Sequence, residues 1–243
     1  MSNVESRVAE NLAQIRGGIE AACRRAGRST SDVLLVGVTK SAQLDWIAAL
    51  VGLGVFDLGE SRPQQLLERV EQLQKLCPSG PASLPIRWHL IGHLQRNKVR
   101  KVLPIAACLH SIDSLALAAR IDSLSAELGL RPRLLLEVNV AGEASKDGFS
   151  PDQLRADWPK LSALRHVELA GLMTMAPFSD DPEAARPTFQ SLRRLRDELA
   201  AQPRSPRLAE LSMGMSGDFE PAIEEGATII RVGTSLFEGL SPA

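Results

Sequence analysis

Lys40 ends the apolar run Val33-Leu34-Leu35-Val36-Gly37-Val38-Thr39, which reads as a buried strand. A primary amine at a strand exit stands where apolar walls give way to a cleft. Partial burial there disfavours the ammonium form, and that makes a lysine a nucleophile for aldehydes. Taken alone, Lys40 reads more simply as a surface lysine snorkelling from a strand end. What sharpens the choice is that other polar and glycine-rich residues stand at similar exits.

Two such turns are Ser212-Met213-Gly214-Met215-Ser216-Gly217-Asp218 and Gly233-Thr234-Ser235. Glycine lets a backbone approach a ligand closely, short hydroxyl residues donate, and a following helix turns its positive end to the site. The pair favours a phosphate, with simple N-capping by Ser216 and Thr234 as the alternative. Arg231 lies within an otherwise apolar strand, with Ile230 and Val232 facing the other way. A buried guanidinium needs acceptors, because an unpaired buried charge is very costly. Glu137 or Glu210 could supply them, and so could a ligand's ring nitrogen or phosphate; the two are compatible.

Three more exits carry polar residues: Gly59-Glu60-Ser61-Arg62, Gly92-His93-Leu94-Gln95-Arg96-Asn97-Lys98, and Asn139 followed by Gly142 to Gly148 with Lys146. His89 and His93 have the i,i+4 spacing that holds a metal on a helix, but here they fall on a strand and its turn, too far apart for one ion. The basic residues Arg96, Lys98, Arg100 and Lys101 lack interleaved aromatics and read as a solvated face, not a nucleic-acid patch. A lysine, phosphate turns and an internal arginine form one coherent set. An aldehyde-bearing phosphorylated cofactor, pyridoxal 5'-phosphate (PLP), would use all three.

Such residues need a scaffold that gathers strand ends. Strand-like runs recur at Val33 to Val38, Val55 to Leu58, Ile86 to Ile91, Ala107 to Ile112, Leu134 to Val140, Leu169 to Met173, Leu208 to Met213 and Thr228 to Val232. Helix-period segments lie between them: Gln43 to Leu53, Gln64 to Leu76, a short one at Asn97 to Leu103, Ser114 to Leu128, Pro151 to Leu164, Pro182 to Leu199 and Phe219 to Glu225. An extra helix over residues 4 to 23 carries Val4, Val8, Leu12, Ile15 and Ile19. This alternation predicts parallel βα units. At 243 residues a closed α/β barrel, (β/α)8, is the economical solution, with an open doubly wound sheet as the alternative. Barrel active sites lie at the C-terminal strand ends, where the residues above fall. The loops at Cys77 to Ser83 and Ala201 to Pro206 precede strands and so belong to the opposite face. No composition shift marks a boundary, and one domain over 1–243 is expected.

The bulk properties exclude several classes. The net charge is -1, from 28 basic and 29 acidic residues, which gives no electrostatic case for nucleic acid or an anionic membrane. No apolar run approaches the ~18 residues that span a bilayer. Cys23, Cys77 and Cys108 form neither a C-x-x-C pair nor a ligand set, as expected in a reducing compartment. The start Met1-Ser2-Asn3-Val4-Glu5 has early charge and no apolar core of a secretory signal, so a cytoplasmic protein is expected. Tyrosine is absent.

Several segments together resemble the pyridoxal phosphate homeostasis proteins, themselves similar to the barrel domain of bacterial alanine racemase without its second domain. They are Val36-Gly37-Val38-Thr39-Lys40, Trp88-His89-Leu90-Ile91-Gly92-His93-Leu94-Gln95-Arg96-Asn97-Lys98 and His110-Ser111-Ile112-Asp113, then Gly171-Leu172-Met173-Thr174-Met175, Leu211-Ser212-Met213-Gly214-Met215-Ser216 and Arg231-Val232-Gly233-Thr234. The resemblance implies a fold-type III PLP protein with a Schiff base on Lys40. It implies phosphate contacts from Ser216, Gly217, Gly233 and Thr234, a ring-nitrogen contact from Arg231, further contacts from Ser61 and Met213, and help with cofactor exchange from Lys146. It also implies a monomer acting in intracellular PLP (vitamin B6) homeostasis and amino/keto acid balance, with PLP-dependent apoenzymes as recipients and no established turnover. The chain departs from the pattern at Ser61, where the family usually has asparagine, at Pro63 and Gln65, and in a longer linker from Leu76 to Leu84.

The alternative is a racemase or lyase of the same fold type. A two-base racemase needs an acid/base group on each face of the bound substrate. Lys40 could serve one face; the tyrosine used on the other cannot exist here, and His89 or His93 would have to replace it. An arginine at the pyridine nitrogen keeps the ring unprotonated and a weaker electron sink, which disfavours demanding carbanion chemistry without forbidding racemisation. Both points favour a holder of the cofactor. A phosphosugar-type barrel enzyme without PLP is a third, weaker class.

Overall fold

The computed structural model describes residues 2–76, 86–143 and 146–241. The expected loop at Cys77 to Ser83, and with it the long linker, lies outside the described residues. The chain opens with α1 (Asn3–Arg25), then runs β1 (Leu34–Val38), α2 (Leu44–Gly52), β2 (Asp57–Glu60), α3 (Pro63–Leu76), β3 (Arg87–Leu90), α4 (Val99–Val102) and β4 (Ala106–Ile112). It continues with α5 (Leu115–Leu128), β5 (Arg133–Glu137), α6 (Pro151–Leu161), β6 (Glu168–Met173), α7 (Arg186–Ala200), β7 (Glu210–Ser212), α8 (Phe219–Glu224) and β8 (Ile229–Val232). All strand pairs are parallel and β8 closes onto β1, so the expected eight-stranded barrel is the fold.

Local chemistry sets the element ends. Ser2 and Glu5 cap α1 reciprocally, each side chain accepting from the other's backbone N–H. Ser114 and Ser150 cap α5 and α6, and Gly129 ends α5 in the left-handed conformation at φ 66°. Pro187 stands at the second position of α7, so the expected helix from Pro182 divides into a 3-10 turn, Pro182–Ala185, and α7 proper. Pro159 sits in the last turn of α6, which stops at Leu161, short of the expected Leu164. β2 lies two residues later than its apolar run predicts, because the Val55 N–H bonds back to Leu50 O and closes α2.

Helix α1 carries its stripe Val8, Leu12, Ile15 and Ile19 into the main core and packs against both α2 and α8. After β8 the described chain forms only a 3-10 turn, Thr234–Leu236, so α1 fills the helical layer between α8 and α2. Asn11, buried on α1, donates to the carbonyls of Leu236 and Glu238 and ties that turn down.

Inside the barrel the lining is split. Val36, Cys108, Leu135, Ala170, Met173 and Ile229 form an apolar wall. Against it stand buried polar groups: Asp57, His89, His110, Ser212 and Arg231. Burial pushes the Cys108 thiol up to about 12, so it stays protonated and behaves as an apolar filler. Among the described residues no helix is long and apolar enough to cross a membrane.

Candidate functional site

β1 and β8 pair with Val36 opposite Arg231 and Gly37 opposite Val232. This register brings the turn after β1, with Thr39 and Lys40, beside the turn after β8, with Gly233 and Thr234. Gly233 is needed for the approach: a Cβ there would lie 3.1 Å from Val38 Cβ and 3.2 Å from Val38 O. The Lys40 backbone is held on both sides. The Thr39 N–H bonds to Gly59 O at 2.9 Å, and Gln65 Nε2 donates to Lys40 O at 2.8 Å. The Thr39 hydroxyl donates at 2.6 Å to Oε1 of Glu60, a fully buried carboxyl that burial pushes up and whose Oε2 has no partner among the described residues.

The Lys40 side chain is exposed, which corrects the expected partial burial: protein walls alone do not desolvate the amine. It lines an open hollow of about 590 Å³ with Ser41, Ser61, Arg62, Gln64, Gln65 and Glu68. Lys40 and Ser61 are therefore brought together. Ser61 is set by Gly92, where a Cβ would meet Ser61 O at 2.3 Å. A larger hollow of about 650 Å³ opens at the opposite rim, around the starts of β5, β6 and β7, and includes Arg204 and Pro206 of the expected basal loop. None of the predicted site residues reaches it.

The turns after β7 and β8 are joined by one hydroxyl: Ser216 Oγ accepts from the N–H of Gly233 at 3.3 Å and of Ser235 at 3.4 Å. A Cβ on Gly217 would meet nothing within 4 Å, so a side chain there would point into open space. Gly214, at φ 94°, gives the sharp bend, and a side chain there would strike Ala222. The donors are N–H groups and hydroxyls at a turn. Helix α8 has six residues and adds little macrodipole, so the expected helix-end contribution is small. Met213 is placed apart, fully buried in the main apolar core. Lys146 is half-buried in the loop after β5; the next residue, Asp147, lies 3.8 Å from His93, so this loop reaches the turn after β3 at the barrel mouth.

Arg231 points into the barrel and is buried. It donates from Nη1 to Ser212 Oγ at 2.5 Å and from Nη2 to Thr174 O at 2.9 Å. Neither expected carboxylate partner bonds to it: Glu210 is taken by Arg133 and Thr228, and Glu137 makes no ion pair among the described residues. Burial lowers Arg231 to about 10, which leaves it a cation at neutral pH. Glu137, at the end of β5, is raised to about 7 by burial and by Asp113 and Asp147. His89 and His93 are separated as expected: His89 is interior, while His93 stands exposed at the mouth 3.2 Å from Asp113. His89, Cys108 and His110 do cluster, but each imidazole nitrogen has a hydrogen-bond partner and the thiol is protonated, which suits hydrogen bonding and not metal ligation.

The donor set fits PLP. An amine stands beside a strand exit, N–H groups and hydroxyls gather at the turns after β7 and β8 across from it, and a cationic guanidinium lies inside the barrel. Comparison with known proteins agrees. Residues 52–242 match the family described as alanine racemase, N-terminal domain. A pyridoxal phosphate homeostasis protein of Aquifex aeolicus is 40% identical over 94% of this chain and 96% of its own length. The chain belongs to the pyridoxal phosphate homeostasis protein family. Among solved structures, this family member is similar to PipY of Synechococcus elongatus PCC7942 with PLP bound, at TM-score 0.81, 36% identity, and coverage of 95% of this chain and 99% of that one. It is also similar to an unknown protein from Bifidobacterium adolescentis, at TM-score 0.88 and 38% identity over 98% and 97% of the two chains. An alanine racemase of Clostridium difficile shares the fold at 15% identity and TM-score 0.68, matched over 98% of this chain and 58% of that one.

The sequence reading missed the interior of the site. Ser212, Thr174 and His110 occur in its quoted segments but received no role. A signal was available: polar residues on inward positions of strands otherwise apolar need partners, and several such strands imply that they meet.

Proposed function

We propose that the chain is a PLP-binding barrel protein acting in PLP homeostasis, one unit over residues 1–243 that holds the cofactor on Lys40 in the cytoplasm as a monomer. PLP supplies an aldehyde for the lysine, a phosphate for the cradle and a ring nitrogen for a donor. On this reading Lys40 holds it covalently, and Ser216, Gly217, Gly233 and Thr234 hold the phosphate. Ser61 lies along the hollow beside Lys40, Met213 contributes only through its backbone, and Arg231 donates to the ring nitrogen. Lys146, in a loop at the mouth, assists exchange toward apoenzyme recipients. The supporting observation is the β1–β8 register, which sets the lysine turn beside the turn whose N–H groups Ser216 collects.

The homeostasis reading is favoured over a racemase or lyase. Of the two histidines that could replace tyrosine, His89 is committed inside the barrel, and His93 is engaged with Asp113. Arg231 remains a cation and cannot accept a hydrogen bond from a protonated ring nitrogen, the form in which the ring is a strong electron sink. The test is spectroscopic. Protein mixed with PLP gains a visible absorption band that borohydride fixes as a covalent adduct on Lys40, and Lys40→Ala has neither band nor adduct. A band that survives Lys40→Ala would overturn the assignment. Amino-acid racemisation by the loaded protein stays at background; stereospecific turnover lost in Lys40→Ala would favour the enzyme instead.

A further inference from the structure

A continuous buried hydrogen-bond chain runs through the barrel from its strand-start rim to Arg231. Asp57, the first residue of β2, is held by Arg87, its neighbour on β3, and its Oδ1 lies 3.0 Å from His89 Nε2. His89 Nδ1 lies 2.8 Å from His110 Nε2 on β4. His110 Nδ1 lies 2.9 Å from Ser212 Oγ at the end of β7, and that oxygen accepts from Arg231 on β8. All five residues are buried, and the links join residues far apart in the chain.

The two ends fix every proton in between. Arg231 can only donate, so Ser212 Oγ accepts there and its own proton goes to His110 Nδ1. Neutral His110 then carries its proton on Nε2 and donates to His89 Nδ1. Neutral His89 carries its proton on Nε2 and donates to the Asp57 carboxylate, which its partners His89 and Arg87 hold in the charged form although burial opposes it. His110 is held neutral by burial and by the nearby His89, Arg231 and Arg133. The opposite direction would need a protonated Asp57 or a doubly protonated histidine in a dry interior. Each imidazole nitrogen between Asp57 and Ser212 serves one hydrogen bond, so rotating the guanidinium would leave the buried Ser212 Oγ without its donor, and a buried unpaired group is costly.

We propose that Ser212 and His110 are positioning residues for the cofactor: through this one-directional chain they lock the Arg231 guanidinium as a protonated donor toward the PLP ring nitrogen, and so set how weakly electron-demanding the bound ring is. The proposal rests on the reading of the site given above and adds what keeps Arg231 in register. It makes the buried polar interior of the barrel part of the reason the bound ring is a weak electron sink.

The test compares PLP binding by wild-type apo-protein and by Ser212→Ala, a change that removes only the hydroxyl linking arginine to histidine. We expect Ser212→Ala to bind PLP about tenfold more weakly, as about 1.4 kcal/mol of lost ring contact would give. We also expect a displaced visible absorption maximum, which a merely structural defect would not produce. His110→Gln should have the same effect, and the double variant should be no worse than either single one, because they break one chain. Equal affinity and an unchanged spectrum in Ser212→Ala, or additive losses in the double variant, would overturn the proposal. A wild type that takes up no PLP would instead bring down the site reading and the proposal together. Should the variants not fold, nitrogen NMR of the wild type decides. The chain has only four histidines, and both His89 and His110 must show a protonated Nε2 and a bare Nδ1 at neutral pH. A proton on His110 Nδ1 overturns it.

Discussion

Glu137→Gln should make this protein acid-sensitive in a range where the wild type is not. Two buried groups titrate there with opposite signs. His110 is held well below its ordinary 6.5, first by burial and then by His89, Arg231 and Arg133. The unfolded chain therefore binds the extra proton, and stability falls as pH drops below 6.5. Glu137 is raised from 4.5 to about 7 by burial and by Asp113 and Asp147, against the opposing pull of Arg231 and His93. The folded chain binds that proton first, so stability rises as pH falls from 7 towards 4.5. Between pH 7.5 and 5.5, linkage gives a loss on the order of 1 kcal/mol from His110 and a gain of similar size from Glu137. The wild type should be nearly flat, and Glu137→Gln, which cannot titrate, should lose stability on the order of 1 kcal/mol over this range. Urea unfolding at closely spaced pH values measures this directly, and urea leaves the charge interactions unscreened. A Glu137→Gln variant as flat as the wild type would refute the opposed-titration argument.

Three further outcomes follow from the geometry. Gly92→Ala puts a Cβ 2.3 Å from Ser61 O, so the turn after β2 must move; a loss of about 1–3 kcal/mol in urea unfolding is expected, with weaker PLP uptake. Asn11→Ala removes both donors from the Leu236 and Glu238 carbonyls; it should cost about 1–3 kcal/mol and speed proteolysis after β8, and unchanged cleavage there would count against the tether. Leu12→Ala should lower stability by about 2–5 kcal/mol, because this fully buried side chain seats α1 against the barrel; a thermal shift of the apo-protein reads it.

Much of the fold was legible because the strands fall in or beside short apolar runs and the helices have their own period, several with a side-chain cap. The misses are local. Val55 looked like strand, yet serves to close α2, since apolar character alone does not say which neighbour a residue packs on. Val138 and Val140 extended the expected β5, but Val138 instead bridges to Phe149 and starts the loop that carries Lys146. At the site, the glycine and hydroxyl turns were readable from composition, because backbone approach demands those residues. The exposure of Lys40 was not, since it depends on how wide the barrel mouth stands. Nor was the withdrawal of Glu137 and Glu210 from Arg231: register decides which inward residues share a layer, and register is a property of the closed sheet.

Asn11 and the carbonyl of Leu236 are separated by 225 positions, and that contact bears on how the protein is made. A barrel whose N-terminal helix α1 fills the layer after β8 cannot seal itself until β8 and the turn after it have been made. The glycine and hydroxyl turns proposed to hold the phosphate lie on those late residues, whereas Lys40 emerges early. During translation Lys40 is therefore out before the turns after β7 and β8, and only the closed barrel brings them together. Long-range closure of this kind also slows folding. The nascent protein consequently spends its most exposed interval without the ligand that would stabilise it.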